Sequence, residues 1–195
     1  MASISVGTMQ NLMHSRRLAT LLVAFAVTLG SAGLVRADTA AEIRRDSRAA
    51  LQQLYATTPA ARKLADSARA VLVFPRIVKA GFLVGGQHGN GTLFAAGKTL
   101  GYYKTVAASY GLQAGVQKFG YALFFMTQSD LDYLRKSEGW EIGTGPSVVI
   151  VDQGMAQSFT TTTLKKGVYA FAFGQKGLMA GLGLQGTKIT KINPS

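Results

Sequence analysis

The side chains with the clearest chemistry are cations at helical spacing. Arg44, Arg45 and Arg48 fall within one helical stretch, and Arg62 and Lys63 within the next. A guanidinium keeps its charge at any physiological pH and matches the oxygens of a phosphate with paired N–H donors. A helix with an apolar stripe and arginines beside it can lie on an anionic membrane. Each basic residue near such a surface adds on the order of 1 kcal/mol, screened by salt. The same pattern also describes an ordinary surface helix whose stripe faces a sheet, and on pattern alone that plainer reading leads.

Other constellations carry less. Glu138, Glu141 and Asp152 could make a glycosidase-type carboxylate pair. Their surroundings, Gly139-Trp140-Glu141-Ile142-Gly143-Thr144-Gly145, read better as a structured loop anchored by Trp140. His88 is the sole histidine beyond His14, and one imidazole cannot build a catalytic zinc site. There is no cysteine, hence no thiolate nucleophile, thiolate metal site or disulfide. No GxSxG elbow is present for a serine hydrolase. Gly181-Leu182-Gly183-Leu184-Gln185-Gly186 spells GxGxxG, but leucine alternates with glycine and no helix pattern follows, so it reads as strand. No catalytic residue, metal or cofactor is expected. Tyr102-Tyr103 and Phe124-Phe125 should alternate faces on strands, one of each pair inward and one outward.

These residues need elements to hold them. Ile43, Ser47, Ala50, Leu51 and Leu54 mark one face of a helix over Thr39–Ala56. Thr58-Pro59 starts a second, running to about Ala70, with Ala61, Leu64 and Ala68 inward and Arg62, Asp66 and Arg69 outward. Beyond Val71 the pattern turns to short apolar runs between glycines. Leu72–Pro75 is a strand ended by proline, and Gly81–Gly86 and Thr92–Ala96 flank a hairpin turn at His88-Gly89-Asn90-Gly91. Further strands are expected over Gly101–Ala107, Gly111–Lys118, Tyr121–Thr127, Ser147–Val151, Gly167–Phe173, Leu178–Leu184 and Lys188–Ile192. A short helix over Ser129–Lys136, capped by Ser129, turns Leu131 and Leu134 inward. The expected class is α+β: N-terminal amphipathic helices packed on a curved, glycine-rich antiparallel sheet or partly closed barrel.

Residues 1–37 read as an export leader. Arg16 and Arg17 precede the uncharged apolar run Leu18–Gly30, and Val35-Arg36-Ala37 suits a signal peptidase. The twin arginine suggests the folded-protein route, although the general secretory route fits the residues after it better. Removal would leave one domain, residues 38–195, in the periplasm. The leader takes three arginines and no acid from a net charge of +12, so the domain stays strongly basic. That field favours phospholipid headgroups, acidic polysaccharide or nucleic acid, and export sets nucleic acid aside.

Several blocks then resemble one family. Leu72-Val73-Phe74-Pro75, Lys79-Ala80-Gly81-Phe82, Gly101-Tyr102-Tyr103 and Ser109-Tyr110-Gly111-Leu112-Gln113-Ala114-Gly115 are similar to the SYLF domain. So are Gly139-Trp140, Val151-Asp152-Gln153-Gly154, Ala170–Gly177 and Gly183-Leu184-Gln185-Gly186, in order from about Ser47 to Ile192. The resemblance implies phospholipid binding and raises the membrane reading of the basic helices above the plainer one. Eukaryotic relatives in endocytic adaptors bind phosphoinositides and some fungal ones bind actin, neither of which an exported domain would meet. The family brings no catalytic motif. The resulting expectation is a non-enzymatic, periplasmic phospholipid-binding protein, peripheral on a membrane. Arg44, Arg45, Arg48, Arg62 and Lys63 would contact anionic headgroups, and apolar residues of the same surface would enter the acyl boundary. The alternatives are a structural or envelope-stress protein binding another envelope protein or an acidic glycan, and, third, a hydrolase acting on lipid.

Overall fold

The computed structural model describes residues 38–151, 167–174, 184 and 186–195, with backbone alone at 82, 83 and 109–115. The leader, Asp152, Gly181-Leu182-Gly183 and all but the end of the Leu178–Leu184 strand lie outside these residues.

Helix α1, Ala40–Thr57, begins where its residues can satisfy the first free amides. Thr39 Oγ1 accepts the Glu42 N–H at 3.3 Å, and the Glu42 carboxylate accepts the Thr39 N–H at 2.8 Å. Helix α2, Pro59–Ser67, opens on proline, where no amide donor is needed. It stops short of the expected Ala70. Ala68 is extended, and the Arg69 N–H donates to the Phe125 carbonyl at 2.8 Å as the chain enters the sheet. Strand pairing overrides the helix propensity of the alanines.

Strand β1, Ala70–Ala95, and strand β2, Lys98–Phe125, form one long antiparallel hairpin where the sequence suggested six shorter strands. Asn90-Gly91 is not its turn: Asn90 pairs with Lys104 and Gly91 with Tyr103 inside the ladder. The turn is Ala96-Gly97, between the paired Ala95 and Lys98, with φ of +46° and +74°. Both values are positive, as a two-residue loop matched to strand twist requires. Nor does Pro75 end β1. It sits where the register shifts between Phe74 and Ile77, a bulge at which a missing N–H costs no ladder bond.

The glycines let this hairpin double over on itself. At the bend, Gly81 and Gly85 touch through their backbones, and a Cβ on Gly85 would run into the Ala80 carbonyl. Further on, a Cβ on Gly91 would meet the Val73 carbonyl and, at 2.7 Å, Phe74 Cδ1. Its absence lets the two halves of β1 close together.

The other edge of β2 takes two strands. Strand β6, Lys188–Ile192, pairs with Tyr102–Val106, and strand β5, Val168–Phe173, pairs with Gly120–Phe125. Strand β3, Trp140–Glu141, extends the sheet beyond β6. Strand β4, Val148–Val151, lies parallel to β5, so the sheet is not wholly antiparallel. The stretch between Val151 and Val168 has the length that a parallel crossover needs. Helix α3, Gln128–Lys136, buries Leu131 and Leu134 as expected, but Thr127 caps it in place of Ser129, accepting the Asp130 N–H at 3.1 Å.

The fold is thus α+β with a curved sheet, and both sheet faces are used. The inner face gathers Leu72, Phe74, Tyr121, Leu123, Phe125 and Trp140. The outer face packs Val71, Val73, Ala122, Phe124 and Phe171 against Leu54, Ala61 and Leu64 of the helices. Phe124 and Phe125 are therefore both fully buried, contrary to the one-in, one-out expectation. Tyr103 and Tyr102 do divide, buried and half-buried.

Candidate functional site

Packing on the sheet takes up most of the apolar stripe of α1, leaving Ala50 and Leu51 half-buried. Ile43, Ser47 and Leu54 are buried, and Ser47 Oγ donates to the Val73 carbonyl at 3.3 Å. Its buried residues are not free to enter an acyl layer. What remains open is the seam where α1, the end of α2 and the Ala96-Gly97 turn meet. A groove of about 360 Å³ runs there. Leu51, Tyr55, Val71 and Phe94 give it apolar walls, and Arg48 and Arg69 line it with charge.

Each wall has a local cause. Phe94 is placed by the final pairs of β1, next to the turn. Arg48 is braced: its Cζ lies 5.6 Å above the Phe94 ring, and Nη2 donates to the Gly97 carbonyl at 3.1 Å. That leaves most of its five donors for another acceptor. Arg69 reaches the groove because α2 ends early and its backbone is pinned to Phe125. Among the described residues, neither arginine is in an ion pair with a carboxylate. Burial pushes the Tyr55 phenol up to about 12, a rise that Asp66 reinforces and the Arg62 guanidinium opposes. Tyr55 is therefore a neutral O–H donor at physiological pH. Arg62 Cζ sits 5.6 Å over its ring.

The five expected cations do not converge. Arg48 lines the groove, and Arg62 borders it through Tyr55. Arg44 is exposed one helical turn before Arg48, on the same flank. Arg45 turns to Asp46, 2.9 Å away, and Asp46 also lies 3.6 Å from Arg76. Lys63 is exposed on α2 and does not line the groove. Arg69, Tyr55 and Phe94 were missed as site residues. Helical periodicity put Arg69 on an outer helix face, and no local signal reveals that Phe94 folds back beside Val71.

Of the alternative acid–base groups, Asp152 lies outside the described residues, and His88 and Glu141 are set well apart. Across the sheet, His88 pairs with Val106, Val106 with Lys188, and Lys188 with Glu141. Three strand spacings put His88 and Glu141 roughly 14 Å apart, too far to share a proton. No cluster among the described residues could hold a metal ion. Trp140 anchors its loop as expected, with Nε1 donating to the Thr144 carbonyl at 2.8 Å. No helix among the described residues is long and apolar enough to cross a membrane.

Residues 106–193 match the family model Ysc84, described as "Las17-binding protein actin regulator". The match spans a little under half the chain, from within β2 through β6. It takes in the blocks from Ser109 to Gly186, while Leu72–Pro75, Lys79–Phe82 and Gly101–Tyr103 precede it. Comparison with curated proteins gives no match.

Proposed function

We propose that this chain, whose residues 106–193 match the Ysc84 (SYLF) family model, is a non-enzymatic phospholipid-binding protein, exported to the periplasm and peripheral on a membrane there. The observation that carries this reading is the groove: two arginines with no carboxylate partner among the described residues, beside apolar walls. An anionic headgroup would sit between Arg48 and Arg69, with the Tyr55 phenol as a third donor. The first carbons of its tails would lie against Leu51, Val71 and Phe94. Arg62 holds the Tyr55 ring, and Arg44 adds field from the same flank. Arg45 and Lys63 contribute long-range attraction.

The description of the matched family names a protein ligand and actin regulation. By analogy, a second reading is a protein partner in the envelope, with the leader keeping the chain from actin. Co-sedimentation with vesicles separates the two. Vesicles of phosphatidylglycerol and phosphatidylcholine should bind the protein at low salt, and phosphatidylcholine alone should not. Equal binding to both would refute the electrostatic mechanism. Changing Arg48→Ala and Arg69→Ala together should remove about 2 kcal/mol, near thirtyfold in affinity. Unchanged binding would move the site elsewhere. Cell fractionation, with mass determination of the mature N-terminus, tests export: cytoplasmic protein still carrying Met1 would overturn it.

A further inference from the structure

Between Asp66 and Asp130 the chain has no aspartate or glutamate. That interval contains the whole hairpin, which carries Arg76, Lys79, Lys98, Lys104 and Lys118. Of these, Arg76 lies beside Asp46, while no other is in an ion pair among the described residues. Asp38 precedes α1, where its Oδ2 accepts from Asn90 Nδ2 of β1 at 3.3 Å, and the other carboxylates are on α1, α2, α3 and the segments after α3, so the charged side chains of the hairpin itself are all positive.

The bend of this hairpin also leaves apolar side chains bare. Val84 is 63% exposed and Val116 64%, the most exposed large apolar side chains among the described residues. Val116 pairs with Ala80, and Val84 lies within the Gly81–Gly85 corner. Lys118, exposed, is two residues from Val116 on the same strand face, and Lys79, half-buried, is next to Ala80. The groove lies beside the Ala96-Gly97 turn, at the other end of the doubled hairpin.

We propose that the bend is a membrane-contact tip. Val84 and Val116 enter the acyl boundary of an anionic bilayer, and Lys79 and Lys118 meet its phosphates. Exposed valines alone would suit any apolar partner. The absence of a carboxylate anywhere on the hairpin favours an anionic surface, where side chains above the apolar contact gain from every nearby phosphate. A second copy would bring the same positive charge to the contact, which disfavours self-pairing. This inference stands apart from the groove and does not require it.

The cysteine-free chain makes the test clean. Val84→Cys, Val116→Cys and, on exposed α1, Gln53→Cys are each labelled with an environment-sensitive fluorophore and mixed with phosphatidylglycerol-containing vesicles. The labels at 84 and 116 should shift to the blue and be quenched by nitroxide-bearing lipids, while the label at 53 should do neither. Silent labels at 84 and 116 on protein that co-sediments with the vesicles would overturn the proposal and leave the groove reading standing. A blue shift that grows with protein concentration without vesicles would overturn it in favour of self-association. Changing Val84→Asp and Val116→Asp together should weaken vesicle binding at least tenfold, yet spare binding of monomeric short-chain phosphatidylglycerol. Loss of the short-chain lipid in Arg48→Ala/Arg69→Ala, with the tip labels still shifting, would support two separate sites.

Discussion

The two ends of the long hairpin are built from the same two strands and have opposite fates. At the turn end, helices cover the outer face, Val71, Phe94 and Phe124 are buried, and one groove stays open between α1 and the turn. At the bend end, Val84 and Val116 stand in solvent. The charge differs as well. Arg48 and Arg69 at the turn end lie on or beside helices that also carry acids, whereas the strands of the bend carry lysines and no acid. A concave, braced site suits one headgroup, and a convex, uniformly positive tip suits an extended surface. Among the described residues helices cover the turn end of the hairpin, so the two proposed contacts would fall at its opposite ends.

The strongest way to break this comparison is to unfold the doubled hairpin. A side chain at Gly91 would strike the Val73 backbone, so Gly91→Val should cost roughly 3 kcal/mol or more and abolish both contacts, read by thermal melting. If melting is unchanged, β1 is not folded on itself as described. Next in size is the near-thirtyfold loss for Arg48→Ala/Arg69→Ala, set against the tenfold loss for Val84→Asp/Val116→Asp. The ends are remote, so the combined variant should show additive losses within about 0.5 kcal/mol. A large coupling between them would mean one site.

The shared core offers a pH test that should not distinguish the ends. Tyr121 is fully buried, its hydroxyl donates to Thr105 Oγ1 at 2.8 Å, and burial raises its phenol well above the usual range. An unfolded tyrosine ionises near pH 10, while the folded one keeps its proton. The unfolded state then binds fewer protons, so stability present below about pH 10 is lost as pH rises toward the folded value. Tyr121→Phe should flatten that decline in denaturant titrations. A decline of the same slope would assign it to other groups. The smallest effect belongs to the turn. Ala96 has φ +46°, which any Cβ disfavours and asparagine tolerates better than alanine, so Ala96→Asn should raise stability by about 0.5–1 kcal/mol and leave the bend labels unchanged.

Much of this was legible in particular residues. Thr58 with Pro59 and the Ile43–Leu54 face mark the two helices correctly. Lys188–Ile192 and Gly167–Phe173 mark two strands nearly to the residue. Local rules failed where distant contacts decide. Asn90-Gly91 is a good turn sequence, yet Gly91 serves a close approach by Val73, and Ala96-Gly97 takes the turn. Arg48 could be suspected from helix spacing, but Arg69 could not, because the end of α2 is set by a bond to Phe125 across the sheet.

The sequence by itself determined the element types, the excess of positive charge, the absence of thiol chemistry and the acid-free interval from Asp66 to Asp130. These follow from composition, periodicity and capping, which act over a few residues. Only the tertiary structure decided that six apparent strands are one doubled hairpin, that most of the α1 stripe is spent on the sheet, and that Arg48, Arg69 and Phe94 meet. Those outcomes depend on which surfaces exclude water together and where a missing Cβ lets backbones touch, and both join residues far apart in the chain.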